Sequence, residues 1–591
     1  MDGPGEGGVT ASESVLSEAA RLELGGDLLA AYDAVSAALA ADPASLTLRH
    51  RAVLLLARSG AQAQAQREYL RLGLDAVHDH VDIISLGGRL LKDLAFAAAG
   101  DGRRVLARAA AEKYAEAYAL HRDYYPGINL ATLALIAGDV PRSSAVAHAV
   151  LETLSSPGAG TDAYYRAATR AEALFLLGRL DDAEAALAAA IALDPTNTTA
   201  HASTLRQLDA ICGALHIDRD WLERHSPPPP VTYCGHMFGA IDRQENLAAE
   251  IKKVLARLKP GAAFGALAAG ADILVAEAAL ARGAELHVVL PMDEKTFLAR
   301  SVVPSGGDWS ARYQACKARA ATFRVASREN DFDDDAVFAF GSEFAMGLAL
   351  RHGQALRAKA VQLAVWDGVM GEGVAGTGAD VRRWAATGHP QEIVKFPPRT
   401  PGRRAAATAT DRKLKAMLFG DVRGFSRLAE SEIRAFVTGI KGPLAKALRD
   451  SGVKPDLVGT WGDGLHIVCA SVADAAHAAL AMQAGFAGID LAAAGLPAHL
   501  ALRIGGHFGP VAEVRDPFME RDSFYGTHVT IAARIEPVAV PGSVYVSEPF
   551  AALLALEAPG RFATDYVGQT ELPKGFGTMR LFSLRHADAS F

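Results

Sequence analysis

The internal repeat is the strongest constraint on how this chain folds. GDLLAAYDAVSAALAADP (Gly26 to Pro43) and GRLDDAEAALAAAIALDP (Gly178 to Pro195) share length and agree in their glycine, alanine and Asp-Pro positions. A fainter copy, GDVPRSSAVAHAVL, begins at Gly138. Around these copies, residues 12 to about 222 are rich in Ala and Leu at helical spacing, broken only by short Gly or Asp-Pro interruptions. Small residues at the repeated positions let paired helices pack closely, and Asp-Pro ends the second helix of each pair. The pattern predicts an all-helical region over 12–225 whose stacked units bury one continuous core.

The repeat resembles a tetratricopeptide (TPR) α-solenoid, which implies a protein partner for this region. YYPGINLATLALIAG (Tyr124 to Gly138) is also similar to the helical TRAFs-binding domain of signalling kinases. An Ala-rich helical bundle without repeat function is the plainer reading of the same residues.

At 591 residues the chain is too long for one core, so about three or four domains are expected. A net charge of -7 and a pI near 6.2 argue against a broad nucleic-acid-binding surface. Cys212, Cys234, Cys316 and Cys469 lie far apart and form no CxxC pair, which reads as buried thiols in a reducing compartment. MDGPGEGG at the start has neither the basic nor the apolar region of a signal peptide. No apolar run reaches the ~20 residues that span a bilayer. These features predict a soluble, cytoplasmic protein with no membrane contact.

SPPPP (Ser226 to Pro230) is a stiff linker, and after it the pattern changes. A strand at VTYCGHMF, a helix over Glu245 to Leu258, and buried strands at AELHVVLP (Ala284 to Pro291) and KAVQLAVWDG (Lys359 to Gly368) alternate. Alternation of this kind predicts a doubly wound parallel α/β sheet over 231–396. Ligands bind such sheets beyond the strand C-termini, where glycines admit phosphate to backbone amides. Loops at those ends are GHMFGAIDR (Gly235 to Arg243), ALAAGADILVAEAAL (Ala266 to Leu280) and DGVMGEGVAGTGAD (Asp367 to Asp380). Gly235, Gly373, Gly376 and Thr377 are the candidate cradle. The segment resembles the Rossmann-type SLOG superfamily, which includes the LOG enzymes and DprA-like proteins. In the LOG enzymes a PGGxGTxxE loop binds phosphate and supplies a glutamate. GVAGTGAD keeps the Gly-Thr spacing, lacks the proline, and puts Asp380 where the glutamate falls. The resemblance implies a sensor of a nucleotide-like ligand or, more sharply, a nucleoside-monophosphate glycosidase. Glycine turns that merely close the fold are the plain alternative.

A second linker, PPRTPGRRAAATAT with Arg399, Arg403 and Arg404, covers 397–412 and leads to a C-terminal domain over 413–591. There the order strand, long helix, hairpin, helix, strand, helix, strand predicts an α+β, ferredoxin-like sheet. LFGDVRGFSRL (Leu418 to Leu428) and GTWGDGLHIVC (Gly459 to Cys469) each deliver an aspartate from an apolar run, a way to hold divalent metal against a triphosphate. FYGTHVTIAARIE (Phe524 to Glu536) adds an arginine on a helix. With LRIGGHFGPV (Leu502 to Val511) and YVGQTELPKGF (Tyr566 to Phe576), these segments resemble a class III adenylyl/guanylyl cyclase, in family order across the domain.

The resemblance implies that Asp421 and Asp463 hold two Mg²⁺ or Mn²⁺ ions per active site. Arg534 would stabilise charge at the α-phosphate, Lys574 would lie near the terminal phosphates, and amides from Val422 to Phe425 would hold the β/γ-phosphates. In the family the aspartates and the arginine come from different subunits, which implies a homodimer. The chain departs from the pattern at three positions. Gly459 replaces a base-reading lysine, Ser523 replaces an Asp or Thr, and Thr530 replaces the ribose-orienting asparagine. Trp461 is either a base-pocket residue or a core aromatic of the hairpin. The function this implies is cyclisation of a nucleoside triphosphate, ATP by default, to its 3′,5′-cyclic monophosphate and pyrophosphate. A catalytically silent scaffold that keeps the fold for dimerisation is the alternative.

Overall fold

The computed structural model describes residues 11–24, 27–155, 163–239, 244–328, 334–370, 373–396 and 412–587. Arg399, Arg403 and Arg404 of the predicted linker lie outside them. The chain divides into two compact units, one built from the N-terminal helices and one carrying two β-sheets.

In the first unit, helices follow one another from Ala11–Leu24 to Thr198–Leu215, and sequence neighbours pack together. The repeat has a local meaning. Gly138, at φ 92°, closes the helix Tyr124–Ala137, and the Asp139 carboxylate then accepts from Arg142 N to open Val140–Thr153. Asp27 opens Leu28–Ala41 in the same way, accepting from Ala30 N at 3.0 Å. Ala147, Ala171 and Ala183 are buried against Phe175 and Leu187, so small residues set how closely the helices approach. A polar cluster also lies inside this unit. Lys92 Nζ donates to Asn129 at 2.7 Å and to Gln207 at 3.0 Å, and Gln207 donates to Glu172 at 2.9 Å. Burial pushes Glu172 up to about 6.

The second unit opens with six strands: β1 (Pro230–Gly235), β2 (Ala262–Gly265), β3 (Glu285–Leu290), β4 (Thr322–Val325), β5 (Val361–Trp366) and β6 (Gln391–Lys395). Their order is β4-β3-β2-β1-β5-β6 and every pairing is parallel. Chain direction across the sheet reverses between β1 and β5, and a crevice opens beyond the strand ends at such a point.

The second sheet contains β7 (Arg412–Arg423), β8 (Leu457–Trp461), β9 (Gly464–Cys469), β10 (Ala501–Asp516), β11 (Arg521–Tyr525), β12 (Val544–Ser547), β13 (Phe562–Leu572) and β14 (Gly577–His586). The order is β13-β14-β12-β10-β7-β9-β8, with β11 paired to β10 as an arm. Its β10-β7-β9-β8 portion is the antiparallel arrangement of a βαββαβ unit.

The two sheets are joined by the bridging helix Asp335–Leu356 of the first sheet's half. Phe344, Ala345, Leu348 and Ala349 on it are buried with Ala552 of the helix Glu548–Glu557 from the second half. A Cβ on Gly347 would lie 2.3 Å from the Ala552 carbonyl oxygen, so glycine is what permits this approach. Charges line the seam. Arg324 meets Glu548 at 3.2 Å and Arg383 meets Glu557 at 2.8 Å. Burial alone would raise Glu548, but Arg324, Arg580 and Arg351 around it hold it below the usual carboxylate range.

Candidate active site

Asp421 ends the apolar run of β7, and Asp463 sits in the turn joining β8 to β9. Because β9 is paired directly to β7, the two carboxyls meet at one end of the sheet. Burial and the neighbouring Asp421 carboxylate push Asp463 up to about 6, while the Val422 amide favours its ionised form. Two further charged groups complete the cluster. Arg503 stands opposite Asp421 across the β7–β10 register and donates to it at 2.9 Å; its other side pairs with Glu536 at 2.5 Å. Burial raises Glu536 to about 7, with Arg503 pulling it down and Asp421 and Asp463 pushing it up. Among the described residues no group of three or more His, Cys, Asp or Glu forms a ready metal cage. A pair of carboxylates nevertheless suits Mg²⁺ or Mn²⁺, which keep few protein ligands and take the rest from phosphate and water. The raised Asp463 is the observation that fits a cation here, since a divalent ion would relieve the crowding of negative charge.

The structure places Arg534 and Thr530 on the helix Thr527–Ile535, whereas Asp421 and Asp463 lie at the sheet end. Arg534 lies over the Phe576 ring, 5.8 Å from its centroid, and its Nε has no hydrogen-bond partner. It makes no ion pair among the described residues. Thr530 donates back to the Gly526 carbonyl at 3.4 Å. Lys574 is exposed in the turn between β13 and β14. Val422 is buried in β7, and Phe425 packs on Phe436 with centroids 4.6 Å apart. Gly459 lies on β8 opposite His466, and Ser523 on β11 opposite Val514. Arg521, two residues before Ser523, reaches to 3.5 Å of the Val458 carbonyl beside Gly459, so the two positions expected to read the base share one neighbourhood. Trp461 is 56% exposed, which removes the core-aromatic reading.

In the parallel sheet, a cavity of about 640 Å³ is walled by Gly235, Gly376, Thr377 and Asp380, together with Asp272, Asp335, Ser342 and Arg300. Gly373 is not on its wall; it lies beside Asp335. Burial lifts Asp272 to about 8 and Asp380 to about 7, and Ser342 donates to Asp380 at 3.3 Å.

Sequence reasoning missed Arg503, Glu536, Asp272 and Arg300. The first three lie inside segments it singled out, and their partners became visible only with the strand register and helix packing.

The family model for the Adenylate and Guanylate cyclase catalytic domain matches residues 410–586, and that for Tetratricopeptide Repeats-Sensor matches 27–134. Neither covers the parallel sheet. Among curated proteins the chain has no match. Similar solved structures include the guanylate cyclase domain of RhGC from Catenaria anguillulae in complex with GTP, at 20% identity and TM-score 0.26, covering 29% of this chain and 97% of that one. The adenylyl cyclase CyaB from P. aeruginosa matches at 17% identity and TM-score 0.26, covering 29% of this chain and 94% of the other. The guanylyl cyclase Cya2 matches at 22% identity and TM-score 0.25, covering 30% and 93%. No helix among the described residues is long and apolar enough to cross a membrane. The chain carries an adenylate and guanylate cyclase catalytic domain at its C-terminus and a tetratricopeptide-like helical region towards its N-terminus.

Proposed function

We propose that the protein is a metal-dependent nucleotide cyclase, converting a nucleoside triphosphate, ATP by default, to its 3′,5′-cyclic monophosphate and pyrophosphate. One observation carries this reading: Asp421 and Asp463 face each other at the sheet end with Asp463 raised to about 6. Bound Mg²⁺ or Mn²⁺ would neutralise the triphosphate and make the ribose 3′-hydroxyl a better nucleophile. Arg503 holds one Asp421 oxygen in place from the adjacent strand. Arg534, which has no ion pair among the described residues, suits a developing charge on the α-phosphate. Gly459, Ser523 and Thr530 leave a base and ribose pocket with fewer charged readers than the family pattern.

Arg534 serves the site of a second subunit, so the working form is a homodimer with two sites. Exposed apolar side chains support an interface: Val514, Phe518, Met519 and Tyr525 on the β10–β11 arm, and Val458 and Trp461 on the β8–β9 hairpin. The cavity in the parallel sheet, read as SLOG-like, takes a nucleotide-like ligand as a sensor, and the helical repeats take a protein partner.

Incubating the protein with Mn²⁺ and each of ATP, GTP, CTP and UTP, with mass spectrometry of the products, tests the reading. Cyclic product is expected from at least one, with Asp421→Ala and Asp463→Ala lowering it by at least about a hundredfold. A silent scaffold has one observation in its favour, the Arg503 guanidinium already occupying Asp421. Absence of product from all four nucleotides would sink the cyclase reading.

A further inference from the structure

Four buried polar side chains form an unbroken hydrogen-bonded line from the parallel-sheet half to the helix bearing Arg534. Ser547 Oγ lies 2.7 Å from His507 Nδ1, His507 Nε2 lies 2.8 Å from His528 Nδ1, and His528 Nε2 lies 3.2 Å from Ser327 Oγ. Ser547, His507 and His528 belong to the cyclase domain, and Ser327 follows β4 of the other sheet. All four are at most 2% exposed. Burial and the adjacent imidazole hold His507 well below its ordinary value, so it is neutral, with one donor and one acceptor nitrogen. Ser547 Oγ also accepts from Phe550 N and keeps a lone pair and its proton for His507. One consistent choice of tautomers satisfies all three contacts, so the four side chains are held as a single hydrogen-bonded line.

His528 sits two residues before Thr530 and six before Arg534 on the same short helix. Its ring occupies the place of a missing side chain: a Cβ on Gly509 would fall 2.2 Å from Nδ1. The other flank is covered by Phe340 of the bridging helix, edge-on to His528 at 5.3 Å and 6.0 Å from Phe508. Two residues from outside the catalytic domain, one polar and one aromatic, therefore fix the orientation of the ring.

We propose that Ser327 and Phe340 are positioning residues for the cyclase reaction: through His528 they set the rotation of the Thr527–Ile535 helix, and so the direction in which Arg534 points. This rests on the cyclase reading above. Neither residue touches substrate or the acidic pair, so loosening either one misplaces the arginine while leaving metal and triphosphate binding intact. A buried ring nitrogen left without its hydrogen-bond partner makes the local arrangement shift rather than persist.

Ser327→Ala, Ser327→Thr and Phe340→Ala in the full-length protein, read by amide hydrogen exchange and by steady-state kinetics, test the proposal. Exchange within Thr527–Ile535 should rise in both alanine variants, with the helix Val472–Ala487 unchanged. Turnover should fall on the order of tenfold at unchanged KM, as a small misplacement of a catalytic group does. Ser327→Thr, which keeps the hydroxyl, should restore both. Wild-type exchange at Thr527–Ile535 in the alanine variants would overturn the proposal. So would equal loss of protection in both helices, which marks a merely structural role. If the wild type makes no cyclic product, the cyclase reading fails by itself, and exchange still decides whether these residues hold the helix.

Discussion

Asp463 makes the stability of the fold depend on pH. Its carboxyl is raised to about 6, above the 3.8 of a free aspartate. Between those values the folded chain binds a proton that the unfolded chain lacks, so this group favours folding at low pH and ceases to do so as pH rises through about 6. On the proposed reading a divalent cation would bind the ionised site and reverse that trend. Added Mn²⁺ should therefore raise the melting temperature more at pH 7.5 than at pH 5, read by thermal shift; Asp463→Asn should flatten the difference. The aspartates were legible because each ends an apolar run in a glycine-rich turn. Arg503 was not, because its role comes from a cross-strand register in which it faces Asp421, and nothing local to LRIGGHFGPV states that register. Asp272 was hidden in the same way, since burial in the first turn of its helix and the nearby Asp380 make it unusual, not its neighbours in sequence.

The elements divide by how strongly their own residues insist. β1, β3 and β5 are apolar runs at the centre of the parallel sheet and could be read directly. β2 is four residues, AAFG, with little β preference, and becomes a strand because neighbours and helices bury it on all sides. β6, QEIVK, is a half-exposed edge strand, and β11 is an arm formed only by pairing with β10. The seam along the bridging helix was invisible for a related reason. Small residues on a long apolar helix look like ordinary core until Gly347 is seen against the Ala552 carbonyl. Gly347→Val should push the two helices apart and destabilise the second unit by about 1–3 kcal/mol, the usual cost of overpacking, measured by denaturant unfolding. The same helix contributes Asp335, Gly341, Ser342 and Ala345 to the cavity wall, so the cavity and the seam share one element, with Ala345 in both.

At the scale of the molecule, the dimer makes a quantitative demand. If acidic pair and arginine come from different subunits, Asp421→Ala and Arg534→Ala homodimers are both inactive, yet a mixture regains one intact site per heterodimer. Random exchange then returns about a quarter of wild-type turnover, since half of the dimers carry one of two sites. Turnover that stays at zero after co-expression, with mixed dimers shown by mass spectrometry, would rule out shared sites. The seam has a further consequence, for anyone who wishes to rewire the enzyme. Sensor–cyclase pairs are usually thought of as interchangeable blocks joined by string, to be recombined at the string. Here Arg324, Gly347, Arg351 and Arg383 are fitted to one particular cyclase surface, so a graft made at residues 397–411 would strand four complementary groups on each side. The transplantable part runs from β1 to β14, and a new input belongs ahead of Pro230.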